Sequence, residues 1–187
     1  MAVQDRTKLT VEAFDKLAEL PENAERLFEY IGGEAFEVPS NPYVSEIAST
    51  ISFFLKLHLR ERGIKGHITG EAGGYMVSGE RYAPDVAFIS AARQAELARS
   101  GYNPNPPELA VEVISPTDPE GKLSIKIANY LAAGTLVWLI WPADKQVQVY
   151  APGQPVKVLG IEGVLDGSDI LPGFTLPVRA IFEQAQD

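Results

Sequence analysis

The sequence predicts an α/β fold in which a mixed central sheet is flanked by helices, with an N-terminal β-hairpin and additional C-terminal strands. Segments 109–114 and 136–141 are short apolar runs, typical of strands buried on both faces, and a helical pattern lies between them. A strand, a helix and a second strand in this order predict a crossover between parallel strands. A Gly-Gly dipeptide at 32–33 permits a tight hairpin between strands at 27–31 and 35–38.

The composition indicates one soluble domain. The chain has 187 residues, of which 45% are hydrophobic, and a single hydrophobic core can serve a chain of this length. We divide it into a helix and hairpin at 8–38, a core at about 42–141 and trailing strands at 145–187. Because there is no cysteine, disulfides, thiolate metal sites and thiol nucleophiles are excluded. The chain shows neither a signal peptide nor a membrane span, so we expect a cytoplasmic protein.

Capping residues and apolar periodicity predict the helices. A short helix follows Thr10 and ends before Pro21, and Asn41-Pro42 opens a long helix that ends at Gly63. Asp118-Pro119 opens another, which Gly134 ends. We also expect a surface helix at 91–99 and a last helical turn near Ile181.

Further strands are predicted from alternating and β-branched segments separated by turn residues. Short strands at 66–69 and 74–77 precede a longer one at 84–89, and the proline-rich segment 103–107 forms an ordered loop. Gln146–Tyr150 alternates as an edge or hairpin strand. Short strands at 156–159 and in the turn-rich tail up to Phe174 complete the chain.

Glu112 interrupts the apolar strand at 109–114. Burying a carboxylate costs several kcal/mol unless a cation, a proton or several hydrogen-bond donors compensate it. Metal binding is one explanation. A structural ion pair, or a side chain that points out of an edge strand, is the other.

Asp85 stands at the start of another apolar strand, directly after Pro84. Taken alone it could be a turn or capping residue. Together with Glu112 on a neighbouring strand it suggests a site for a hard divalent cation, because Mg²⁺ prefers carboxylate, carbonyl and water oxygens.

Lys126 lies at the border of the apolar face of the helix that follows the Glu112 strand. Its long stem could pack inward so that the ammonium reaches the strand end, although an exposed lysine is the common alternative. Lys122, one turn earlier, could take the same role.

The order of these segments resembles the Uma-two family of restriction endonucleases, a branch of the PD-(D/E)XK superfamily. The similarity covers most of the chain. It runs through Ile31-Gly32-Gly33-Glu34, Tyr82-Ala83-Pro84-Asp85-Val86-Ala87-Phe88-Ile89, Glu108-Leu109-Ala110-Val111-Glu112-Val113-Ile114-Ser115-Pro116-Thr117-Asp118, Lys126-Ile127-Ala128-Asn129-Tyr130-Leu131-Ala132-Ala133-Gly134, Val137-Trp138-Leu139-Ile140, Val147-Gln148-Val149-Tyr150 and Leu171-Pro172-Gly173-Phe174.

The resemblance implies a restriction-endonuclease-like fold in which Asp85 and Glu112 are metal ligands and the Val113 carbonyl is a third. The superfamily lysine would stand at Ile114, and in this family it is displaced to the following helix, at Lys126. Glu46 is similar in position to a helix-borne acid of many superfamily members, although a solvated helix face is the favoured explanation. The family's histidine near Val44 and its aspartate at the 141–142 strand end are missing.

The resemblance therefore implies a Mg²⁺- or Mn²⁺-dependent endonuclease that acts on DNA. One alternative is a catalytically silent binding or assembly module, which the acidic balance and the missing histidine favour. Another is a sugar or small-molecule enzyme with Asp85 and Glu112 as an acid/base pair on opposite walls of a cleft. The trailing strands 147–159 could pair between subunits, so we expect a homodimer.

The net charge of −9 argues against a general nucleic-acid coat protein, since non-specific affinity comes mainly from lysine and arginine. A nuclease needs a local basic surface. The candidate cluster is either this surface or simply the solvated end of a helix. Its members are Lys56, Arg60, Arg62, Lys65 and His67.

Overall fold

The computed structural model describes residues 8–38, 41–115 and 120–183, with only the backbone of residue 120. Four α-helices lie in these ranges, and a short 3₁₀ turn at Pro21–Asn23 follows the first of them. The helices are α1 (Val11–Ala18), α2 (Pro42–Arg62), α3 (Glu120–Ala132) and α4 (Arg179–Phe182).

The predicted caps set the bounds of the longer helices. Thr10 accepts a hydrogen bond from the Ala13 amide, and Asn41 accepts one from the Val44 amide. α2 ends at Gly63, whose φ of 64° is the left-handed conformation that glycine adopts without strain. The expected start of α3 at 118–119 lies outside the described residues.

Two sheets form the body of the molecule. A four-stranded sheet has the order β2-β1-β5-β4, and a six-stranded sheet has the order β10-β9-β8-β7-β6-β3. The strands of the first sheet are β1 (Phe28–Ile31), β2 (Glu34–Glu37), β4 (Tyr75–Val77) and β5 (Glu80–Tyr82). Those of the second are β3 (Gly66–Gly70), β6 (Val86–Ser90), β7 (Leu109–Val113), β8 (Leu136–Trp141), β9 (Gln146–Tyr150) and β10 (Lys157–Leu159).

The pairing of β7 with β8 is parallel, which confirms the predicted crossover through α3. The neighbouring pairs β6 with β7 and β8 with β9 are antiparallel, so the sheet is mixed as expected. All five residues of β7 are buried, which is why an almost continuous apolar run stands there.

The two faces of the six-stranded sheet pack against different elements. One face, which includes Val111 and Trp138, packs against α2 and the C-terminal segments. The other face, which includes Ala87 and Ala110, packs against α3 and the four-stranded sheet through residues such as Tyr82 and Tyr130. Side chains that alternate along β6 and β7 therefore enter two separate cores.

The C-terminal segment adds a small sheet of β11 (Val164–Asp166) and β12 (Thr175–Pro177), followed by α4. Leu165 and Leu176 are buried beneath α2, and Ile181 of α4 lies in the same cluster. The expected helical turn near Ile181 and the additional C-terminal strands are thereby confirmed.

Two expectations were wrong. Segment 91–99 is a series of turns and bends instead of a helix. Asn103 forms hydrogen bonds to this segment. Its Oδ1 atom accepts from Gln94 Nε2 at 2.7 Å and from the Ala98 amide at 2.9 Å. These contacts replace helical hydrogen bonds. The sequence reading also missed β5, which follows a two-residue turn at Ser78-Gly79 where both residues have positive φ.

Candidate active site

A cavity of about 600 Å³ opens where the hairpin strands, the start of β6, the end of β7 and α3 meet. The first turn of α2 closes one side through Asn41 and Val44. The cavity brings together Asp85, Glu112 and Lys126, which are far apart in the sequence. The predicted trio therefore shares one site.

Asp85 and Glu112 lie side by side at one end of two neighbouring strands. Val86 pairs with Val111 in the antiparallel register, so the same register sets Asp85 across from Glu112. Cross-strand neighbours project from the same face of a sheet, here the face that packs against α3. The Asp85 Oδ2 atom accepts a hydrogen bond of 2.6 Å from the Val113 amide.

Glu112 is 8% exposed and has a donor on each carboxylate oxygen. The Oε2 atom lies 2.7 Å from Lys126 Nζ, and the Oε1 atom accepts a hydrogen bond of 3.0 Å from the Tyr130 hydroxyl. Both donors come from α3. Because Tyr130 and Lys126 are one helical turn apart, a single helix face orients this carboxylate.

Lys126 is 7% exposed, so its side chain packs inward and is not the exposed lysine of the alternative explanation. In addition to Glu112, Nζ contacts Glu29 Oε1 at 2.8 Å. A buried lysine shared by the buried Glu112 and the partly buried Glu29 compensates part of the cost of removing these groups from water.

Glu29 is the residue that the sequence reading missed. It belongs to β1, and its Oε1 atom also accepts a hydrogen bond of 2.8 Å from the Ala83 amide. The available signal was strand alternation, because Glu29 shares a strand face with the buried Ile31. A carboxylate on an apolar strand face is the same pattern that identified Glu112.

Burial raises the pKa of the two acids, whereas ion pairing raises the pKa of the lysine. Desolvation, with smaller effects from the Glu29 and Glu71 charges, raises the pKa of Asp85 to about 6 despite the Val113 hydrogen bond. Desolvation also raises the pKa of Glu112, against the attraction of Lys126. Burial opposes the charged form of Lys126, yet the carboxylates of Glu112 and Glu29 raise its pKa above the ordinary value.

The secondary candidates lie in different places. Lys122 lines the cavity, and its Nζ is 2.9 Å from the centre of the Phe36 ring on β2. Val113 also lines it. Glu46 is exposed on α2 and does not line this cavity, so it does not share the site of Asp85, Glu112 and Lys126.

The donor chemistry of the cavity suits a hard divalent cation. When Glu29, Asp85, Glu112 and Lys126 are all ionised, three carboxylates face one ammonium, which leaves an excess equal to the charge of one such cation. No cluster of three or more His, Asp or Glu side chains in the described ranges has metal-binding geometry. A divalent cation bound here would therefore need the Val113 carbonyl and water as ligands in addition to Asp85 and Glu112.

The basic cluster lies at the other end of α2. Lys56, Arg60 and His67 surround a groove of about 420 Å³ between the C-terminal half of α2 and β3. Lys56 and Arg60 come twelve and sixteen residues after Val44, which corresponds to about 18 and 24 Å along a helix axis. This groove is therefore separate from the cavity.

Comparison with known proteins identifies a family and a solved structure of similar fold. The model of the Uma2 family, described as "Putative restriction endonuclease", matches residues 11–179. A crystal structure from Anabaena variabilis ATCC 29413, described as a "putative nuclease belonging to DUF820", is 23% identical with a TM-score of 0.78. The match covers 93% of this chain and 97% of that one, and it shows the shared fold.

No curated protein matches significantly. In the described part of the chain, no helix is long and apolar enough to span a bilayer.

Proposed function

We propose that this chain, which belongs to the Uma2 family described as "Putative restriction endonuclease", is a Mg²⁺- or Mn²⁺-dependent endonuclease that cleaves DNA. The observation that carries the proposal is the convergence of Asp85, Glu112 and Lys126 on one cavity. Two adjacent carboxylates can hold a cation and an ammonium can stabilise negative charge, and both support metal-assisted phosphodiester hydrolysis.

Asp85, Glu112 and the Val113 carbonyl would hold the cation. Once bound, this ion supplies a Lewis acid and a water of lowered pKa for attack on phosphorus. The Tyr130 hydrogen bond and the Val113 amide keep the two carboxylates in place before the cation arrives. Such pre-orientation by surrounding donors supports both metal affinity and rate.

Lys126 supplies the positive charge that the pentavalent transition state needs. Its ammonium is buried and its pKa is raised by two neighbouring carboxylates, so it stays charged at neutral pH. A fixed cation in a poorly solvated cavity stabilises developing negative charge on phosphate oxygens more strongly than one in water. The lysine acts from a helix instead of the strand position held by Ile114.

A catalytically silent binding or assembly module is the second candidate. The net charge of −9 favours it, and so does the absence of the histidine that the resemblance implies near Val44. Such a module needs no saturable Mg²⁺ or Mn²⁺ site. Metal titration of the wild-type protein therefore separates the two candidates without a nuclease assay.

The arrangement of the acids argues against a glycosidase-like acid/base pair. That chemistry needs two carboxyl groups on opposite sides of a substrate. Here Asp85 and Glu112 stand on paired strands and project from one sheet face. This geometry supports a shared cation.

We include a homodimer in the proposal. β10 is the last strand of the six-stranded sheet, and Val156 and Val158 beside its edge are 48% and 55% exposed. An exposed apolar edge strand is a surface on which a second copy can pair. Sedimentation velocity of the wild type and of Val158→Lys tests this, because the charged edge should yield monomers.

The deciding experiment is a cleavage panel on single- and double-stranded DNA and RNA with Mg²⁺, Mn²⁺ or a chelator. We expect metal-dependent cleavage of DNA that Asp85→Asn and Glu112→Gln both abolish, with unchanged circular dichroism spectra. Glu46→Gln is the control, because it removes one carboxylate from an exposed position on α2. Cleavage that persists in both site variants contradicts the assignment.

A further inference from the structure

We propose that Glu29 is a positioning residue of this site, which retains the Lys126 ammonium and supplies the negative charge that lets the cavity bind a divalent cation. The inference rests on the proposed function. It starts from the position of Glu29 on β1, where its side chain is 12% exposed and lines the same cavity as the trio.

One carboxylate oxygen of Glu29 serves two parts of the site. Oε1 accepts from Lys126 Nζ at 2.8 Å and from the Ala83 amide at 2.8 Å. Ala83 stands two residues before Asp85, so Glu29 anchors the chain segment that presents this aspartate. The hairpin strand thus connects Lys126 to the chain segment that carries Asp85 through one carboxylate.

Lys126 has two carboxylate partners at nearly equal distances. Nζ lies 2.7 Å from Glu112 and 2.8 Å from Glu29. When Glu112 holds a cation, that cation repels the ammonium, and Glu29 remains as its counter-ion on the other side. Without this second carboxylate, ammonium and metal would compete for Glu112 alone.

Charge balance supports the same conclusion. With Glu29 present, the four ionised groups carry an excess of two negative charges, which one divalent cation neutralises. With Glu29 neutral, the excess falls to one, so the cavity attracts the cation less strongly.

The test measures Mn²⁺ affinity by isothermal titration calorimetry without nucleic acid, in the wild type, Glu29→Gln and Glu37→Gln. Glutamine keeps an acceptor for the Ala83 amide but removes the charge. We expect Glu29→Gln to weaken Mn²⁺ binding about 10- to 100-fold, as residues that orient metal ligands typically do. Glu37 lines the same cavity but is half exposed and paired with Arg26, so Glu37→Gln should bind like the wild type.

Kinetics separate positioning from a general structural role. Glu29→Gln should lower kcat about 10- to 100-fold at saturating metal and leave KM for DNA within about twofold, because the displaced group is Lys126. Glu29→Asp keeps the charge but shortens the reach. It should retain Mn²⁺ affinity within about threefold while kcat still falls, and it serves as the test if Glu29→Gln does not fold.

Wild-type Mn²⁺ affinity in Glu29→Gln, or equal weakening in Glu37→Gln, would overturn the inference while leaving the nuclease function intact. If Glu29→Gln weakens Mn²⁺ binding but the wild-type protein cleaves no nucleic acid, the inference is supported and the proposed function is contradicted. A wild-type protein without a saturable Mn²⁺ site contradicts the inference, and cleavage measured in chelator then shows whether the nuclease function survives.

Discussion

Lys126 Nζ and Glu29 Oε1 lie 2.8 Å apart, although ninety-seven positions separate the two residues. The contact joins α3 to the N-terminal hairpin directly above the strand that carries Glu112. It gives the buried Lys126 ammonium a second carboxylate partner in addition to Glu112. The consequences for stability, pH dependence and substrate binding can each be measured.

Removing the ammonium should destabilise the protein strongly. Lys126→Met keeps most of the side-chain volume but leaves Glu29 and Glu112 buried without their cation, which costs about 3–5 kcal/mol. Urea unfolding at pH 8 in chelator measures this loss. The loss should shrink at lower pH, because the raised pKa of Glu112 makes that group easy to protonate.

The control for this variant is Lys122→Met, one turn earlier on the same helix. Lys122 lies over the Phe36 ring and is half-buried, so its replacement should cost about 1 kcal/mol or less. Equal losses in the two variants would show that Lys126 does not compensate the buried acids.

Asp85 should make stability depend on pH between about 4 and 6. Its folded-state pKa of about 6 exceeds the unfolded value near 3.8, so the folded protein holds the proton more tightly. This contribution is complete below about pH 4 and is lost as the pH rises through 6, up to about 3 kcal/mol. Asp85→Asn should therefore match the wild type at pH 4 and exceed its stability at pH 7.

The measurement is urea unfolding of both proteins in chelator from pH 4 to pH 7.5. Asparagine retains an acceptor for the Val113 amide, so the comparison isolates the titration of the carboxyl. A stability difference that does not change with pH would contradict the raised pKa. Saturating Mg²⁺ should stabilise the wild type at pH 7 and leave Asp85→Asn nearly unchanged.

The groove at the far end of α2 should contact phosphates of a long substrate. Its distance from the cavity corresponds to about five to seven base pairs at 3.4 Å per pair. Lys56→Ala/Arg60→Ala should raise KM for a 30-base-pair duplex and lower the salt slope of its binding by about two. An 8-base-pair duplex cut at its centre should be bound equally by both proteins.

A second double variant, Lys16→Ala/Lys157→Ala, removes the same charge from exposed positions on α1 and β10. It should leave the salt slope unchanged. If it lowers the slope as much as the groove variant does, net charge and not a defined surface controls binding, and the cluster is the solvated end of a helix.

Asn103 should hold segment 91–101 in its observed conformation. It is 5% exposed, accepts from Gln94 and the Ala98 amide, and donates to the Gly74 carbonyl. Asn103→Ala removes these three hydrogen bonds and leaves the Ala98 amide without its acceptor, which should cost about 2–4 kcal/mol in urea unfolding. Limited proteolysis should cut Asn103→Ala within 91–101 faster than it cuts Asn105→Ala. The hydrogen bonds of Asn105 are longer, at 3.3 and 3.5 Å, and contribute less. Equal cleavage rates would contradict this role.

Local patterns were sufficient for most elements. The caps at Thr10 and Asn41, the stop at Gly63 and the apolar strands on either side of α3 are all set by neighbouring residues, so they could be predicted. Segment 91–99 could not, because its helical tendency is overridden by Asn103, which arrives from beyond the segment. β5 is three residues long and was too short for a periodic pattern.

The sequence by itself determined that a carboxylate, Glu112, would stand inside a buried strand. It also determined that Asp85 would begin a neighbouring strand and that Lys126 would lie on the helix after the Glu112 strand. Only the tertiary structure decided that Glu29 joins them, that Tyr130 orients Glu112, and that Glu46 does not line the cavity. Backbone periodicity is a property of neighbouring residues, whereas the partner of a buried charge depends on which distant segments pack together.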